Sequence, residues 1–169
     1  VYIYGSRSFS IWKMIPGLAP QLLFDSEDDI ESRLALLMPD HANSLEDVIQ
    51  SGDQASNARG PEPAGIAVGR LKAGPHVFVS LESMGGVMMY QLAIGDTVTN
   101  PSASYAAYAT NRFFNADPAS NICIVGDLGT EDVLFLKQEW TGEGFDAILA
   151  ANDFSGTVTA YGMNSLVPG

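Results

Sequence analysis

Three stretches of the chain repeat one pattern: a short apolar strand, a turn of small residues, and a second apolar strand. They are Val1–Trp12, Val77–Tyr90 and Ala147–Tyr161. Hairpins recurring at this spacing mark blades arranged around an axis, so the pattern predicts an all-β fold of β-propeller type. A longer repeat supports it. Pro63–Gly69 leads into the second hairpin and Gly129–Phe135 into the third, each an inner strand set before a hairpin. The chain therefore reads as about two complete blades and one partial blade. A propeller closes with about four or more blades. The rest of the ring is expected in another chain or segment, or replaced by copies stacked head to tail into a filament, because open sheet edges template association.

The expected organisation is a propeller section over 1–162 and a tail over 163–169. The section divides into a partial blade (1–24), a helix and loop insertion (25–60) and two blades (61–110 and 121–162). In the partial blade, Val1–Tyr4 should pair with Ser8–Trp12 across Gly5, with Gln21–Phe24 as an outer strand. Ile30, Leu34 and Leu37 or Met38 recur at helical spacing and predict one short helix near 28–38. Ser26 or Asp28 is the expected cap and Pro39 the stop. Residues 51–60 read as an exposed loop. Further strands are expected at 65–71, 77–92, 105–109, 121–125, 132–136, 145–151 and 156–162.

Net charge decides against some partners. Eight basic and 20 acidic residues leave −12, which disfavours nucleic acid and anionic membrane surfaces and suits cations. No apolar run approaches the length of a transmembrane helix. Cys123 is the one cysteine, so no internal disulfide forms, and its strand-like setting in Asn121–Val125 predicts a buried, inert thiol. No permitted N-glycosylation sequon occurs.

Several segments resemble one family. Arg59–Gly69, Phe78–Tyr90, Tyr108–Phe114, Gly126–Phe135 and Ala150–Tyr161 are similar, in order, to segments of the choice-of-anchor I proteins. These are related to mesenchyme-specific cell-surface glycoproteins, and some relatives carry an alkaline phosphatase label. Gly5–Trp12 and Phe24–Asp29 add to the likeness. The resemblance implies a secreted or cell-surface propeller of about seven blades, with this chain its C-terminal portion. It also implies links to extracellular matrix and mineralised tissue. One departure matters: where the family carries a second glutamate in its Pro-Glu-Pro loop, this chain has Ala64.

The candidate chemistry is sparse. Channel carboxylates can gather around a hard divalent cation such as Ca²⁺, which nominates Glu62, Glu82 and Glu131 at one channel mouth. The alternative there is a rigid proline turn with a solvated Glu62. Asp25, Glu27 and Asp29 have the alternating spacing of calcium loops, but lack the turn glycine and the closing bidentate glutamate. Acids in a helix's first turn also have their own reason through the macrodipole. Arg112, among aromatics, could fork a carboxylate or phosphate or serve a structural ion pair or cation–π stack. Phe113 and Phe114 are expected to pack. His41 and His76 read as surface histidines, and no residue is nominated as catalytic. The expected function is an extracellular structural or adhesion module that binds cations. The alternative is a metal-dependent, phosphatase-like hydrolase working through channel carboxylates.

Overall fold

The computed structural model describes residues 7–49, 52–95, 98–120 and 123–163. Its strands form three antiparallel sheets. The first joins β1 (Ser10–Lys13) to β2 (Gln21–Asp25). The second is a four-stranded meander of β3 (Pro63–Leu71), β4 (Gly74–Leu81), β5 (Val87–Ala93) and β6 (Ser102–Ala109). The third runs β7 (Thr130–Leu136), β8 (Ala147–Asn152) and β9 (Thr157–Gly162). Helix α1 (Asp29–Leu37) follows β2, and a short α2 (Gln138–Thr141) joins β7 to β8.

The sheets stack face to face, with the four-stranded sheet in the middle. Strand residues alternate between faces, so odd and even positions of β4 meet different neighbours. Val77, Val79 and Leu81, with Met88, Tyr90 and Leu92 of β5, pack against Phe9 just before β1, Ile11 and Phe24 of the first sheet, and Ile30 and Leu34 of α1. Phe78, Val87 and Met89 pack on the opposite side against Val133, Ile148 and Ala150 of the third sheet. Coverage on both faces explains why β4 and β5 read as near-continuous apolar runs. Each fully buried large side chain contributes roughly 1.5–3 kcal/mol.

Adjacent sheets touch most closely where β3 lies along β7. Two glycines permit the approach. A methyl group on Gly65 would stand 2.6 Å from the Asp132 Cα and 2.8 Å from the Glu131 carbonyl oxygen, and one on Gly69 only 2.5 Å from the Phe135 ring. Ser80 ties the same place. Its hydroxyl accepts from Gly65 N–H at 2.6 Å and donates to Glu131 O at 3.0 Å.

Several sequence expectations need correction. The expected strand Val1–Tyr4 lies outside the described residues and is not among these, while β1 pairs with β2, the expected outer strand. The expected strand at 121–125 does not form over its described part. Cys123 and Ile124 lie in an exposed turn, and only Val125 is buried, in a small core with Ala116 and Leu128. The apolar run anchors a loop at one point and never joins a sheet. Cys123 is accordingly exposed.

The helix stands where expected, but neither proposed side chain caps it. Ser26 Oγ accepts instead from Phe9 N–H at 3.0 Å, tying the helix entrance to the strand before it. Asp28 accepts from the Ser32 hydroxyl. Residues 52–60 form a largely exposed loop, as expected, but an ordered one. Ala55 is fully buried, and its carbonyl accepts from the N–H groups of Ala58, Arg59 and Gly60. Arg7 fastens this segment to α1, bonding Glu31 at 2.9 Å and the Ser56 carbonyl. Helix α2 and the full extent of β6 were not anticipated.

Candidate functional site

The acidic candidates sit where strands begin and hairpins turn. Pro63 opposes Leu81 and Thr130 opposes Asn152, each followed by an irregularity in register. By this register Ala64 holds the place of Glu131 in the next sheet, and Glu62 stands just before β3. The departure noted in the sequence thus falls on the position equivalent to Glu131. The same register matches Glu82, after β4, to Asp153, after β8. Asp153 was missed, although its place one residue beyond the strand repeats that of Glu82.

These acids share one edge of the stack. Burial pushes the Glu82 carboxyl above the usual range, and the negative charges of Glu62, Asp153 and Glu131 push it further, against a pull from Arg59. Glu62 is already engaged. Arg59 reaches its Oε2 at 3.0 Å, and the Ser83 hydroxyl donates to the same oxygen at 2.7 Å. Its backbone adopts φ of 56°, and its carbonyl accepts from Glu82 N–H at 2.8 Å. Glu62 is therefore a paired carboxylate at a left-handed turn, not a solvated one. Arg59 also holds Glu46 at 2.9 Å. Among the described residues, no three His, Cys, Asp or Glu side chains are grouped as ligands for one ion.

The second acidic segment is spread along a turn. Asp25 Oδ1 accepts from Glu27 N–H, Glu27 has φ of 49°, and Asp29 begins α1 with its carboxylate on Arg33 at 3.2 Å.

Arg112 is buried, and its guanidinium bonds the chain's own carbonyls. Nη1 donates to the carbonyls of Ser83 at 2.9 Å and Met84 at 3.3 Å, and Nη2 to that of Leu45. Its Cζ lies 4.5 Å from the centroid of Phe114, and His41 stacks on that ring at 4.8 Å. Arg112 thus pins the 40–60 segment to the β4–β5 turn. Phe114 packs as expected, whereas Phe113 is 55% exposed. Neither histidine is a simple surface residue. His41 is half-buried against Phe114, and His76, within β4, is only 4% exposed.

A buried polar chain joins the second and third sheets, and sequence reasoning did not find it. Gly86 N–H donates to Thr130 Oγ1 at 2.8 Å, and Thr130 donates to Asn152 Oδ1 at 2.7 Å. The Asn152 amide donates to Thr157 and Thr159, whose hydroxyls donate to the two oxygens of Asp127. Every donor points toward the carboxylate, an arrangement in which each bond polarises the next. Asp127 is 6% exposed and has no cationic partner among the described residues. Burial, followed by the Asp127 charge, pushes the Tyr161 hydroxyl up to about 12.

Stacked antiparallel meanders with glycines between their facing strands define a blade-like β-sheet module. Residues 1–94 match the choice-of-anchor I domain, and the chain belongs to that family. It is 23% identical over 170 residues to Gigasin-3a of Magallana gigas, which covers 98% of this chain and 58% of that protein. It is 26% identical over 130 residues to the mesenchyme-specific cell surface glycoprotein of Strongylocentrotus purpuratus, covering 66% of this chain and 17% of that protein. The chain thus spans well under two thirds of either relative's length. No solved structure matches it.

Proposed function

We propose that the chain is a section of an extracellular or cell-surface propeller that serves as a structural or adhesion module. Further blades or further copies cover its two end faces, and its acidic edge takes up divalent cations weakly. One observation carries this reading: the middle sheet is covered on both faces, while the end sheets turn apolar side chains outward. Trp12 opposes Leu22 on the outer face of the first sheet, at 51% and 47% exposure. Leu134 on β7 and Val158 on β9 are likewise exposed on the third sheet, at 55% and 70%. Apolar sheet faces of this kind mark interaction surfaces. The name of the Strongylocentrotus purpuratus relative, a mesenchyme-specific cell surface glycoprotein, supports the setting.

Sedimentation velocity over a concentration series tests the reading. The wild-type chain is expected to self-associate, and Trp12→Lys or Val158→Lys to shift it toward monomer without changing its circular dichroism. A wild-type chain that stays monomeric at all concentrations, with no dye-binding apolar surface, would sink the proposal.

A further inference from the structure

The outer end of the interface between the second and third sheets opens into a cleft of about 860 Å³. This lies within the range of small-molecule sites, roughly 300–1,000 Å³. It is far from the acidic edge in the sense of strand direction: it gathers around the β3–β4 turn, at the ends of β3 and β4 opposite those that adjoin Glu62 and Glu82. His76, Met89 and Gln91 form one wall; Gln138, Phe145 and Asp146 face them.

His76 carries the argument. Its Nδ1 lies 2.9 Å from the Gly74 carbonyl oxygen. A carbonyl only accepts, so Nδ1 donates to it, and in the tautomer this bond selects Nε2 is the acceptor. The ring is 4% exposed and lines the cleft, and Nε2 makes no hydrogen bond among the described residues. Gln91, directly across the β4–β5 ladder from His76, donates its amide N–H to the Ala73 carbonyl at 2.9 Å, which leaves its amide oxygen as a second acceptor. Asp146 accepts from Gln138 N–H through Oδ1, leaving Oδ2 as a third. Lys72, at the turn, is the cation of the lining. The Phe145 ring lies over Gly162, where a methyl group would stand 2.9 Å from it, so the ring's seat depends on a missing side chain.

We propose that this cleft binds a neutral saccharide. A ligand rich in hydroxyl donors complements the three acceptors, and its own oxygens can accept from Lys72. Its C–H faces can lie on Phe145 and Met89. A small anion would meet Asp146 and a small cation Lys72, so net charge of either sign is disfavoured, whereas a polyol uses both groups. The site is separate from the end faces on which the proposed assembly rests.

Amide-resolved NMR of the full chain, titrated with glucose, galactose, N-acetylglucosamine and maltose, and with acetate and methylammonium as charged controls, tests the proposal. At least one sugar should give saturable shifts confined to Gly74, His76, Gln91 and the 138–146 segment. Phe145→Ala should weaken that binding about tenfold, as should His76→Asn, which keeps an N–H near the Nδ1 position and removes Nε2. Gln91→Leu, on a partly open strand position, serves if His76→Asn does not fold. Shifts from none of the sugars, shifts scattered over the surface, full-strength binding in the variants, or preference for either charged control would each overturn it.

Discussion

Glu82 shows how one side chain reports its neighbourhood. Its carboxyl is raised first by burial and then by three nearby acids, so the folded state binds its proton more tightly than the unfolded chain does. The sign follows from linkage: this contribution to stability is present at acid pH and is lost as pH rises through the ordinary carboxylate range to the higher folded value. Glu82→Gln is therefore expected to raise the melting temperature at neutral pH and to have little effect in acid, as read by thermal melts across pH. A loss at neutral pH would show that the ionised carboxylate has a stabilising partner. Tyr161 behaves alike at the other extreme. Its hydroxyl is raised from 10.0 to about 12, by burial and then by Asp127. Its contribution is full below 10.0 and lost as pH climbs toward about 12. Tyr161→Phe should flatten the alkaline decline in stability. Asp127→Asn, by contrast, places an amide N–H against a hydroxyl donor in the buried chain. It should cost about 1–3 kcal/mol in urea unfolding, and a neutral result would mean that the threonines re-orient freely.

Among the elements, β3 and β7 set the spacing of the stack, and glycine makes it possible. Gly65→Ala would drive a methyl group into the backbone at Asp132, so the expected loss is about 1–3 kcal/mol, measured by denaturant unfolding. An unchanged midpoint would mean that the two strands do not touch as described. The strands themselves were legible because β4 and β5 are apolar on both faces and bounded by turn residues, and because the hairpin recurs. α1 was legible from Ile30 and Leu34 at helical spacing. The apolar run at 121–125 misled for a physical reason: Val125 is buried in a loop core, and composition does not distinguish an anchor from a strand. The order of the 52–60 loop was hidden because it comes from carbonyl contacts to Ala55 and from Arg7, across 49 positions to Ser56. The acidic edge was half legible. Glu62, Glu82 and Glu131 stood out as residues, while Asp153 required the strand register. The Thr130–Asn152–Asp127 chain is built from common polar residues whose spacing carries no motif.

At the scale of the molecule, charge and apolar surface pull in different directions. The chain carries −12, and self-repulsion of that size opposes both compaction and close approach of copies. The apolar end faces favour association. On the proposed reading cations reconcile the two, because screening and uptake of positive charge would relieve the repulsion while leaving apolar contacts intact. The acidic edge concentrates this effect, since Glu82 already pays for proximity to Glu62, Glu131 and Asp153 in its raised carboxyl. Adding millimolar Ca²⁺ should therefore raise the melting temperature and promote association beyond what sodium chloride of equal ionic strength achieves. Replacing Glu131 and Asp153 together by Gln and Asn should abolish the excess over salt while leaving the general salt effect. The measurements are thermal melts and sedimentation velocity, each with the ionic-strength control. Equal responses to the two salts would reduce the acidic edge to ordinary screening. A calcium response that survives both substitutions would move the site elsewhere, with Asp25, Glu27 and Asp29 the next residues to replace.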